Sequence, residues 1–116
     1  MQNFPARYEE LEQQMARIGQ AIPGTMQGFS AMHKAGVADG ALSAKTKELI
    51  ALGIAITVRC DGCIAYHVHD ALKAGAVEDE IMETIGVAIL MGGGPSVVYG
   101  CDAVEALRQF SEAVPA

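Results

Sequence analysis

Residues 54 to 67 read IAITVRCDGCIAYH, and the fold turns on whether the first five are a strand or the end of a helix. Ile54, Ile56 and Val58 alternate and are β-branched, which suits a buried strand. A strand running into a Cys-x-x-Cys pair at a helix start would be a thioredoxin-like arrangement. Three features oppose it. No other segment reads clearly as a strand. Arg59 stands where an aromatic residue usually precedes the first cysteine. Ser43 to Leu52 already carries a helical pattern, and Gly53 is only a mild cost inside a helix. The stretch is therefore read as a helix ending near Val58, a turn at Arg59 and a new helix from Asp61. This makes the fold all-α.

Outward from this point, Gly and Pro divide the remainder at Pro23-Gly24, Gly40, Gly75 and Gly92-Gly93-Gly94-Pro95. Apolar residues three or four apart (Tyr8, Leu11, Met15, Ile18, Ile22) predict a first helix over Pro5 to Ile22. Met26, Phe29, Met32 and Val37 predict a second over Thr25 to Ala38. Ser43 is a good N-cap for the third. The fourth is expected to close at Gly75, a suitable C′ residue. Glu78, Asp79 and Glu80 suit the positive end of a fifth helix, running to Met91. Pro95 suits the first turn of a sixth, ending near Val114. The triple glycine lacks the Lys and Ser/Thr of a phosphate loop and is read as a tight turn.

At 116 residues the chain fits one domain, 1–116, of about six helices. Half of the residues are apolar, Trp is absent and aromatics are few, a palette for packed helices. The net charge is −6 and the eight basic residues are scattered, which argues against nucleic acid as a partner. No apolar leader opens the chain, and the longest apolar run, Leu49 to Val58, is too short to span a bilayer. A cytoplasmic location without membrane contact is expected, where thiols are kept reduced and disulfides are transient. After Glu48 the third helix is apolar nearly all round, which calls for burial on every side. Six helices this short cannot surround one of their number, so a homo-oligomer is expected.

On the fourth helix, Cys60 and Cys63 are three residues apart and neighbours on one face, and His67 follows one turn later. The helix N-terminus favours a thiolate at Cys60, and His67 favours one at Cys63. Folding the third and fourth helices back about Arg59 brings Glu48 within reach of His67, as a carboxylate that orients an imidazole. Two cysteines, a histidine and a glutamate also make four zinc ligands. Three of them along one helical face are unlike the two flexible knuckles of a structural zinc site, so no metal and no cofactor is expected. His69 is placed on another face, at the surface. His33 shows no partner in the sequence. Cys101 is read as a small buried hydrophobe.

The pattern Glu48, eleven residues, Cys60, two residues, Cys63, three residues, His67 resembles the signature of the alkylhydroperoxidase D core, within the carboxymuconolactone decarboxylase-like superfamily. DGALSAKTKELIALGIAI, RCDGCIAYHVHDALKAGA and EIMETIGVAILMGGGPSVVYG resemble family stretches in the same order. The resemblance implies an all-helical, ring-forming assembly, a hexamer or a trimer. It implies a peroxidase cycle with Cys63 as peroxidatic thiol, Cys60 as resolving thiol, and His67 with Glu48 as proton relay. A peroxide substrate and a dithiol reductant are the partners it implies. Gly62 departs from the family's antioxidant members, which carry a histidine there, and Val77 stands where a Ser or Thr cap is usual. The chain is about one core unit long, so the duplicated half of longer members, with any reductant-docking surface on it, is expected to be absent. Two other readings stay open. One is disulfide reduction or redox sensing; the other is a muconolactone-type decarboxylase, which would not need the cysteine pair.

Overall fold

The structure, a computed structural model, describes residues 2–113. Six helices follow one another: α1 (Phe4–Ala21), α2 (Pro23–Val37), α3 (Ala44–Thr57), α4 (Asp61–Lys73), α5 (Glu78–Gly92) and α6 (Gly94–Ala113). Among the described residues there is no strand. The alternating IAITV run lies in the last turns of α3 and its cap, so helical context overrides β-branched propensity. The expected end of the sixth helix near Val114 falls outside the described residues.

The caps explain most of the boundaries. The Asn3 side chain accepts the Ala6 N–H at 3.0 Å, opening α1. Ser43 Oγ accepts the Thr46 N–H at 3.1 Å, opening α3. At α5 the apolar Val77 offers no side-chain cap, but its own N–H donates to Glu80 Oε1 at 2.9 Å, one half of a capping box. The α3–α4 corner is sharper than its sequence suggests. The Arg59 N–H donates to the Ile56 carbonyl and the Cys60 N–H to the Ala55 carbonyl. Arg59 itself sits at φ 61°. This is a Schellman closure with a non-glycine residue in the left-handed position. The same pair of bonds closes α4 around Gly75 at φ 98°, where glycine removes the steric cost.

Leu52 and Ile56 of α3, Ile64 and Val68 of α4, Ile81 of α5 and Ala106 of α6 are completely buried against one another. Each large side chain so removed from water contributes about 1.5–3 kcal/mol. Phe4 anchors α1 to this core and its N–H donates to Gln109 Oε1 at 2.6 Å. In contrast, α2 buries none of its side chains.

Within one chain α3 is not covered all round. Glu48, Leu52, Ala55 and Ile56 face inward, whereas Ile50, Ile54 and Val58, spaced four apart, are exposed. Val87, Leu90 and Met91 of α5, and Val97 and Val98 of α6, are exposed too. Cys101 is a free and exposed cysteine, contrary to its reading as a buried hydrophobe. The inward face of α6 is taken by Ala103, Ala106, Leu107 and Phe110, and residue 101 is off that stripe. His69 is likewise not a surface group. It is half-buried, stacked on Tyr8 at 4.0 Å and edge-on to Phe110 at 5.4 Å. Among the described residues no helix is long and apolar enough to cross a membrane.

Candidate active site

The α3–α4 corner carries the site. Because the chain reverses at Arg59, α4 runs back along α3, and residues on the two sides of the corner meet. Cys60 is the N-cap of α4, and its Sγ accepts the Cys63 N–H at 3.2 Å. The two cysteines are joined by a disulfide, with their Cα atoms 5.2 Å apart. Cys63 leans inward against the core. The sulfurs therefore lie at the positive end of α4, where a thiolate is favoured.

Glu48 and His67 come together as the spacing suggested. His67 Nδ1 is 3.4 Å from Glu48 Oε1. Glu48 is 4% exposed, so its carboxylate is cut off from bulk water. The two atoms face each other out of line for a hydrogen bond, and each lacks a hydrogen-bond partner among the described residues. Buried polar atoms in that condition are rare and call for a water, an ion or a functional contact.

An open cavity of about 860 Å³ lies against the α4 side of this pair, at His67. Cys60, Cys63 and His67 form part of its wall, and Leu11, Met15, Met26 and Phe29 make much of the rest apolar. Tyr66 also lines it and donates its hydroxyl to Glu12 Oε1 at 2.5 Å. Burial, reinforced by Glu12, raises the Tyr66 phenol well above its ordinary value. It therefore stays protonated, a donor rather than a base.

Gly62 has a structural reason. A Cβ there would meet Leu11 Cδ1 at 3.2 Å and approach Arg7 Nη2 at 3.7 Å. The first turns of α1 occupy the space a side chain between the cysteines would need. Sequence reasoning missed His33. It lines the same cavity from α2. Its imidazole, the Glu48 carboxylate and the Asp70 carboxylate bring one ligand atom each to within 4.8 Å of one another. Nothing local in the α2 sequence marks this, since its two partners lie on α3 and α4.

The sequence profile of the carboxymuconolactone decarboxylase family matches residues 23–106. The chain belongs to this family. An uncharacterized protein of Cupriavidus necator is 38% identical over 102 residues, covering 88% of this chain and 90% of its own. One from Haemophilus influenzae is 36% identical, with coverage of 83% and 85%. Among solved structures, a carboxymuconolactone decarboxylase family protein of Legionella pneumophila superposes with a TM-score of 0.90 at 42% identity, covering 93% of this chain and 96% of that one. A family protein of Thermotoga maritima, whose description raises an antioxidative response, gives 0.82 at 28% identity with 90% of each chain covered. The family profile spans α2 to α5 and the first part of α6, and agrees with the superfamily resemblance read from the sequence.

Proposed function

We propose that the protein is a thiol-dependent hydroperoxide reductase. The observation that carries this reading is the Cys60–Cys63 disulfide on the wall of an apolar cavity, beside the buried Glu48–His67 pair. In the reduced protein the Cys63 thiolate attacks the peroxide oxygen. The O–O bond breaks, Cys63 becomes a sulfenic acid, and the leaving alkoxide takes a proton supplied through His67, backed by Glu48. The Cys60 thiolate then attacks the Cys63 sulfur and expels hydroxide, which leaves as water once protonated. An external dithiol returns both sulfurs to thiols at the cost of its own oxidation, in a reducing compartment such as the cytoplasm. The description of the Thermotoga maritima relative supports an antioxidative setting. The two cysteines and the histidine beside them give a muconolactone decarboxylase reading no support, despite the family's name.

Assembly is part of the same proposal. Ile50, Ile54 and Val58 of α3 are exposed, as are large apolar side chains of α5 and α6, and further copies of this chain, in a hexamer or a trimer, are the proposed cover. A face of this kind with no charged residue in its α3 stripe is costly to leave in water.

The test is trapping. Stoichiometric cumene hydroperoxide added to reduced Cys60→Ser, followed by dimedone, is expected to place the adduct on Cys63 by peptide mass spectrometry. Cys63→Ser is expected to lose the first turnover. An adduct on Cys60 in Cys63→Ser would reverse the two roles. Reactivity no greater than free cysteine in the wild type would sink the peroxidase reading in favour of disulfide exchange.

A further inference from the structure

We infer that His33, Glu48 and Asp70 form a binding site for a borderline divalent cation of the zinc type, which clamps α2 to the body of the protein. One ligand comes from each of α2, α3 and α4, and their ligand atoms lie within 4.8 Å of one another. Bonds of about 2.0–2.2 Å to one ion require these atoms to close by roughly an ångström. His33 can supply that movement, because α2 is held by no buried side chain. The other two ligands are already fixed. Glu48 is 96% buried, from its 4% exposure, and its Oε1 lacks a hydrogen-bond partner among the described residues. Asp70 Oδ1 takes the His69 Nδ1 contact at 2.9 Å, and His69 is held by stacking on Tyr8. A carboxylate steadied in this way by a second group is how metal ligands are commonly oriented.

The ligand chemistry selects the ion. An imidazole with two carboxylates suits zinc, cobalt or ferrous iron, whereas magnesium and calcium prefer oxygen alone. The cysteines take no part, so this site differs from a thiolate centre and exists in the disulfide form. It shares Glu48 with the proposed proton relay, and a cation there would draw that carboxylate away from His67.

The site is tested without turnover, so its failure is separable from failure of the peroxidase reading. Disulfide-form protein is titrated with Co²⁺ and, by equilibrium dialysis, with Zn²⁺. Expected are one ion per chain, visible d–d bands, no sulfur-to-cobalt charge-transfer band, and slower amide exchange across α2 with Zn²⁺. The Cys60→Ser/Cys63→Ser double variant is expected to bind alike. His33→Gln and Asp70→Asn are each expected to weaken binding by more than the roughly 10–100-fold that loss of an outer-shell partner costs. Should either substitution disturb folding, the His33 side-chain ¹⁵N resonances of the wild type, followed during Zn²⁺ addition, give the same answer. No stoichiometric binding, unchanged affinity in both variants, unshifted His33 resonances, or binding that appears only with a thiolate band after reduction would each overturn the inference.

Discussion

His67 Nδ1 stands 3.4 Å from Glu48 Oε1, across the gap between α4 and α3, in a site where the carboxylate has almost no contact with solvent. Nineteen residues separate the two along the chain, and the reversal at Arg59 brings them face to face. In the proposed mechanism this carboxylate is the group that backs the imidazole.

Removing either partner while keeping its shape tests the relay. Glu48→Gln and His67→Gln are expected to slow peroxide consumption by about 10²–10⁴-fold, the usual worth of acid–base help. Stopped-flow consumption of cumene hydroperoxide under single-turnover conditions measures it. Rates equal to wild type in both variants would remove the pair from the mechanism.

The thiols should sort by position. Mild oxidation is expected to give the Cys60–Cys63 disulfide reversibly while Cys101, exposed on α6, stays alkylatable. Peptide mapping of iodoacetamide-treated oxidised protein reads this directly. A dominant Cys101 linkage would contradict the placement of α6.

Arg59 occupies a left-handed conformation that costs an L-residue about 1–2 kcal/mol, against the 0.5–1 kcal/mol of backbone entropy that glycine forfeits. Arg59→Gly is therefore expected to stabilise the fold slightly, by about 0.5–1 kcal/mol. Urea unfolding checks the sign. A clear loss would mean the Arg59 side chain makes contacts that outweigh the backbone term.

Burial first, and the Asp61 charge second, raise the Asp102 carboxyl above its ordinary value. A carboxyl raised in the folded state resists ionisation there. Its destabilising effect is full above the folded pKa and vanishes below the unfolded one. Asp102→Asn is accordingly expected to raise the melting temperature at pH 7, with the gain shrinking as the pH falls through the raised pKa toward the ordinary carboxylate range. Thermal scans across pH 3–8 would show a gain independent of pH if the effect were only one of shape.

The apolar stripe of Ile50, Ile54 and Val58 predicts assembly at micromolar concentration. Sedimentation velocity is expected to show a ring-sized species, and Ile54→Glu, placed mid-stripe, to shift it toward smaller ones. A monodisperse wild-type monomer would refute the oligomer.

Most of the helices were legible because their signals are local. Ser43 as cap, Gly75 as terminator, the acidic first turn of α5 and the three-to-four spacing of α1 each act within a few residues. The face shared by Cys60, Cys63 and His67 follows from 3.6 residues per turn alone. The strand-like IAITV run was decided by its flanks, and the structure agrees with that weighing.

By itself the sequence determined the order of the helices and the closeness of Cys60, Cys63, His67 and Glu48 about one corner, since each depends on periodicity or on one tight turn. Tertiary structure alone decided that His33 lies within 4.8 Å of Glu48 and Asp70, that α1 fills the space beside Gly62, that His69 is packed in an aromatic cluster, and that Cys101 is exposed. The physical reason is the same in all four. Amphipathic spacing says which face of a helix avoids water, but which neighbour covers that face depends on how several helices cross, a relationship no single segment encodes.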